Sequence, residues 1–224
     1  MMKYFTCLFL LLHALVAYTQ DSSYVKLINE VSLKQAIFKQ KYTEADSLKK
    51  DSIIHEAQKY IFDKIIIDYF RQWYGTPWDF NGTTRIPKKG KIACGYFVTT
   101  VLLDAGFKIP RIKWAQLPSE TFIKKISTNT KRIYNKPVED VISILNIKGD
   151  GLYIVGLDTH VGFLYKNGEV MQFVHSNYYE KEIGVMSQNI NVDSPLKNSS
   201  YRFIGKILEK DMMIKWIMNE EFLQ

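Results

Sequence analysis

Cys94 is the residue in this chain best placed to act as a nucleophile. It sits in Lys91-Ile92-Ala93-Cys94-Gly95-Tyr96-Phe97-Val98, directly after a stretch rich in Gly, Pro, Asn, Thr and Lys over residues 75–90. An apolar, helix-patterned run follows it to Phe107. A cysteine opening a helix meets unpaired backbone N–H groups and the positive end of the helix dipole. That setting favours the thiolate, the reactive form of sulfur. The Cys94 N–H is also placed to bind an oxyanion in acyl transfer, and Gly95 is expected to leave room beside the sulfur for a substrate backbone. The sequence holds 2 cysteines. The other is Cys7, inside an apolar N-terminal run, so no intramolecular disulfide is expected once that run is removed.

A thiol of this kind needs a base. His160 opens a strand pattern in Asp158-Thr159-His160-Val161-Gly162-Phe163. A strand-borne imidazole set against a helix-borne thiol is the pairing that cysteine nucleophiles use. His175 lies across the tight-turn signal Lys166-Asn167-Gly168, so a hairpin there brings the two histidines side by side. Its expected role is to bond the far ring nitrogen of His160 and fix its tautomer. Asn177, Asp158 and Gln172 are the alternatives for that role. His55 lies on a polar-flanked helix and is expected to face solvent. Metal chemistry is disfavoured, because the histidines and thiol show no short ligand spacing. No phosphate loop, dinucleotide fingerprint or Gly-x-Ser-x-Gly elbow appears, and no cofactor is expected.

Helices are expected to carry the first part of the chain. Residues 21–73 are helix-patterned, with one amphipathic helix over Val25–Lys41 and another that Asp51-Ser52 caps and Gly75 with Pro77 ends. Residues 108–148 read as loops with short helices, one capped by Ser119 and one over Val138–Leu145. Strands are expected at Leu152–Val155, His160–Tyr165, Val170–Val174, Ile183–Met186 and Tyr201–Leu208, with a last helix over Met212–Phe222. Helices first and antiparallel strands after them make an α+β domain.

The chain has 224 residues, 46% hydrophobic and 24% charged, a globular composition. Its formal charge of +7 suits anionic surfaces such as a cell-envelope polymer, and no motif accompanies it that would point to nucleic acid. Met1-Met2-Lys3, the apolar run Tyr4–Ala17 and the small residues of Ala17-Tyr18-Thr19 read as a secretory signal peptide over 1–19. Export, to the periplasm or beyond the cell, is the expectation. The remaining divisions are a helical extension over 20–69, a core domain over 70–208 and a C-terminal helix over 209–224.

Five pieces in this order resemble the NlpC-type cell-wall peptidases, a papain-like family. They are Tyr74-Gly75-Thr76-Pro77-Trp78-Asp79-Phe80-Asn81-Gly82, Cys94-Gly95-Tyr96-Phe97-Val98, Gly149-Asp150-Gly151-Leu152, His160-Val161-Gly162 and Phe173-Val174-His175-Ser176. The resemblance implies a papain-like domain, with a helical subdomain packed on an antiparallel sheet. It implies hydrolysis of amide bonds in peptidoglycan stem peptides through an acyl-enzyme. By that carry-over Cys94 is the nucleophile, His160 the base and His175 the orienting residue. Trp78, Asp79, Gly95 and Tyr96 then border the substrate, and the Trp78 indole replaces a tyrosine near the oxyanion. The family often places Asp before the cysteine and Ser after it; Ala93 and Gly95 stand here instead. That departure motivates an alternative, an amidase or thioesterase with a non-wall substrate. A non-catalytic wall-binding module is the third reading.

Overall fold

The computed structural model describes residues 2–222, with side-chain surroundings from Ser23 onward. The signal-peptide reading over 1–19 concerns side chains outside the described residues.

A 6-stranded antiparallel sheet forms the centre, in the order β1-β6-β2-β3-β4-β5. Its strands are β1 Thr130–Tyr134, β2 Gly151–Leu157, β3 Val161–Asn167, β4 Val170–Ser176, β5 Val185–Asn189 and β6 Tyr201–Ile207. Alternation along each strand feeds two cores. Leu152, Ile154, Phe163, Val174 and Phe203 join one cluster, while Tyr153, Val155, Leu164, Phe173 and Ile204 join the other. The two-residue period of a pleated strand makes this division.

On the first face pack α1 (Met2–Glu44), α2 (Ser47–Asp63), α4 (Cys94–Asp104), α6 (Ser119–Ile126) and α9 (Lys210–Met218). A π-helical turn, Lys64–Tyr69, joins α2 to the short α3 (Phe70–Trp73). α5 (Arg111–Ala115) lies beside α4. The second face is covered by α7 (Val138–Lys148) and α8 (Pro195–Asn198). The architecture is α+β, as the order of patterns in the sequence implies.

Several expectations shift. α2 starts earlier than Asp51-Ser52, because Asp46 accepts the Lys49 N–H at 3.0 Å and caps it. Ser119 is the first residue of α6 and makes no capping bond; Pro118 precedes it in extended geometry. The 108–148 pattern implies loops and short helices, and the structure adds β1 there. Its sequence, Thr-Lys-Arg-Ile-Tyr, buries only Ile133, and charged residues of this kind are typical of an edge strand. His160 stands just before β3 rather than within it.

The expected boundaries at residues 69 and 208 run through one continuous core. Tyr24, Leu27, Val31 and Phe38 of α1 and Trp216 of α9 share a cluster with Phe97 and Phe163. A buried polar set ties α1 to the centre. The Tyr24 hydroxyl donates to Asp104 Oδ2 at 2.8 Å and accepts from Trp73 Nε1 at 2.9 Å. Arg85 supplies the charge partner for Asp104 at 2.7 Å. Burial pushes the Asp104 carboxyl up, while Tyr24 and Arg85 pull it down.

Candidate active site

Cys94 is the first residue of α4, following Ala93 in extended geometry. Backbone bonds aim this helix start. Ala93 N–H donates to Gly82 O at 2.8 Å, and Ile92 N–H to Pro77 O at 2.9 Å. The Ser176 hydroxyl, at the end of β4, donates to Ile92 O at 2.7 Å. Arg111 spans from Thr100 of α4, at 2.6 Å, to the carbonyls of Thr83 and Thr84 at 3.0 and 3.1 Å. The 75–93 loop is therefore clamped between α4, α5 and β4.

The backbone N–H groups of Val161, Gly95 and Cys94 itself favour the charged form of the Cys94 sulfur. Val161 is the first residue of β3, and it lines one cleft together with Cys94 and His160. Cys94 and His160 line the same two clefts, one on each side of Cys94. Burial pushes the thiol above its ordinary value, outweighing the three N–H groups that pull it down. Burial therefore opposes the thiolate that the helix start favours. Desolvation of the charged form exceeds the stabilisation from the helix start.

His160 is 4% exposed and His175 is 0% exposed. His160 Nε2 lies 2.8 Å from His175 Nδ1, and His175 Nε2 lies 2.9 Å from Gln188 Oε1. The proton positions follow from donor and acceptor types. An amide oxygen only accepts, so His175 Nε2 carries hydrogen and its Nδ1 offers a lone pair. His160 Nε2 then donates, and His160 Nδ1 is left with a free lone pair. That Nδ1 is buried and has no hydrogen-bond partner. Burial, then the neighbouring His175, hold His160 well below the ordinary histidine value. Burial lowers His175 to about 4, with Gln188 opposing. Burial thus opposes charge on the thiol and on both imidazoles.

The relay stands on the sheet face opposite α4. His175 stacks on Phe173 of the second core, with ring centres 4.1 Å apart. Phe173 faces Gln188 across the β4–β5 register, which puts the amide on the same face. Gly162 is required between them, since a Cβ there would lie 2.6 Å from Phe173 and 2.9 Å from His175. Cys94, on α4 of the other face, shares both clefts with His160 at the start of β3.

Asn177, Asp158 and Gln172 are engaged elsewhere. Asn177 Oδ1 accepts the Tyr179 N–H, Asp158 Oδ2 accepts from Ser199 and Ser200, and Gln172 accepts from Ser187. Trp78, Gly95 and Tyr96 border the cleft. The Trp78 Nε1 is buried there without a partner. Asp79 does not line either cleft beside Cys94. Its carboxylate holds the Asn81 N–H at 2.9 Å and pairs with Lys91 at 3.7 Å, so it shapes the loop. The reason for Gly95 also changes. A Cβ there would overlap the Ala115 carbonyl oxygen, so this glycine allows α4 to approach α5. Gln188 and Tyr178 were missed by sequence reading. Tyr178 places its ring 5.1 Å from His160 and 6.0 Å from Trp78. Nothing local marks either residue; only the β4–β5 pairing and the following turn bring them in. Among the described residues, no three His, Cys, Asp or Glu side chains are grouped to hold a metal ion.

No family model matches the chain, and no curated protein or solved structure matches it.

Proposed function

We propose that this protein is a papain-like cysteine hydrolase, exported by its N-terminal segment, that cleaves amide bonds in peptidoglycan stem peptides. The observation that carries the reading is His160 Nδ1. A buried ring nitrogen without a partner costs about 1–3 kcal/mol, and here it stands in a cleft wall shared with a thiol. Its opposite nitrogen is locked by His175 and Gln188. Such an atom is explained by a proton it must accept.

In this mechanism His160 Nδ1 takes the thiol proton as sulfur adds to the amide carbonyl. The Cys94 N–H at the α4 start faces the oxyanion. The imidazolium is held through Nε2–H to His175 and on to Gln188. It then protonates the leaving nitrogen, the C–N bond breaks, and a thioester remains on Cys94. Water, deprotonated by His160, attacks the thioester, releases the carboxylic acid and restores the thiol.

The test is incubation of the reduced, folded protein with muropeptides of several wall chemotypes, read by mass spectrometry. New free amino and carboxyl ends are expected, absent with Cys94→Ala. Intact muropeptides throughout, from protein whose Cys94 still reacts with iodoacetamide, would overturn the wall substrate.

A further inference from the structure

The two arms of the cleft differ chemically. One arm includes Glu120, Lys124 and Asp158, and these charges are already satisfied. Glu120 pairs with Lys124 and Arg132, and Asp158 is bonded by Ser199 and Ser200. The other arm, a cleft of about 700 Å³, has no Asp, Glu, Lys or Arg in its wall among the described residues. Four rings line it: Trp78, Phe80, Tyr96 and Tyr178. Between them stand the neutral polar groups Asn81, Thr83 and Gln116.

The rings are not equally available. Lys181 lies over Trp78, 5.2 Å from its centre, and Arg111 covers Tyr96 at 4.8 Å. Phe80 is 79% exposed at the rim and presents its ring to whatever enters. The buried Trp78 N–H in the same wall lacks an acceptor.

We propose that this arm binds an uncharged sugar ring, so that the preferred substrate is a peptide still joined to its glycan. The inference rests on the reading of the site as a wall-peptide hydrolase and names what lies beyond the scissile peptide. A free amino terminus in this arm would find no carboxylate in the wall and would stand near Lys181 and Arg111, so desolvating it would oppose binding. A hydrocarbon chain would strip water from Asn81 and Gln116 without replacing its hydrogen bonds. A sugar satisfies both kinds of surface. Its C–H face lies on the electron-rich face of Phe80, and its hydroxyl and acetamido oxygens meet the amides of Asn81 and Gln116 and the Thr83 hydroxyl.

The experiment compares one stem peptide in four forms: N-acetylmuramoyl, N-acetyl, free-amine and N-palmitoyl. Binding to Cys94→Ala is followed by tryptophan fluorescence and calorimetry, and kcat/KM is measured with the unmodified enzyme. The muramoyl form is expected to exceed the N-acetyl form by about tenfold, equivalent to one strong contact. Phe80→Ala is expected to bring that ratio close to one. Equal affinity for the muramoyl and N-acetyl forms overturns the sugar arm while turnover of both preserves the hydrolase reading. Preference for the palmitoyl form also overturns it, in favour of an acyl-chain site. Muramoyl-dependent binding without any turnover supports the sugar arm and overturns hydrolysis.

Discussion

Acidification between pH 7 and pH 4.5 is expected to destabilise this fold through the buried relay, and His175 sets the size of the effect. Burial holds its imidazole at about 4, against 6.5 for the ordinary group. The unfolded chain therefore binds a proton that the folded chain refuses. Stability is full above the unfolded value and falls as pH drops from 6.5 towards 4. Each pH unit across that window costs about 1.4 kcal/mol. Integrated to pH 4.5, His175 alone accounts for about 2 kcal/mol. His160, also depressed by burial, adds loss of the same sign. The structural carboxylates act lower: Glu120 is held at about 2 by Lys124, Tyr201 and Arg132, so it stays ionised across this range. The assay is urea unfolding at pH 7 and pH 4.5 for the natural protein and for His175→Asn. With a slope of about 2 kcal/mol per molar urea, the natural midpoint should fall by at least about 1 M. His175→Asn, which keeps His160, should fall by about 1 M less than the natural protein. A midpoint unchanged by acid, or an equal fall in the variant, would refute the picture of a relay buried in neutral form.

The same geometry sets three further expectations. Gln188→Leu removes the acceptor for His175 Nε2–H and frees the relay to adopt the wrong tautomer. By comparison with other second-layer partners, kcat/KM on a wall peptide should fall by about 10–100-fold, and Gln188→Glu should recover part of it; an unchanged kcat/KM in Gln188→Leu removes this residue from the relay. Since the Cys94 thiol is pushed up by burial, its alkylation by iodoacetamide should keep accelerating beyond pH 9, and a plateau reached near pH 6 would instead show a resting ion pair. Gly95→Ala, by driving a methyl group against the Ala115 carbonyl, should lower stability by about 1–3 kcal/mol, and an unaltered melting temperature would show that α5 yields freely.

Sequence alone determined the ingredients and their local settings. Cys94 at a loop-to-helix junction, His160 at a strand start and His175 beyond an Asn-Gly turn are legible because each depends on neighbours a few residues away. The order of helices before strands likewise implied the α+β class, and all five expected strands appear, with ends displaced by up to three residues. Tertiary structure decided the rest. Gln188 enters the relay only because β5 pairs with β4 in the register that sets it opposite Phe173. The charge state of the thiol depends on how much water the fold removes, a quantity no local motif encodes. The edge strand β1 is drawn into the sheet by β6, which lies about 70 residues away in the chain. Local chemistry follows the chain, whereas register, burial and the meeting of two sheet faces at the β3 end follow only from the packed whole.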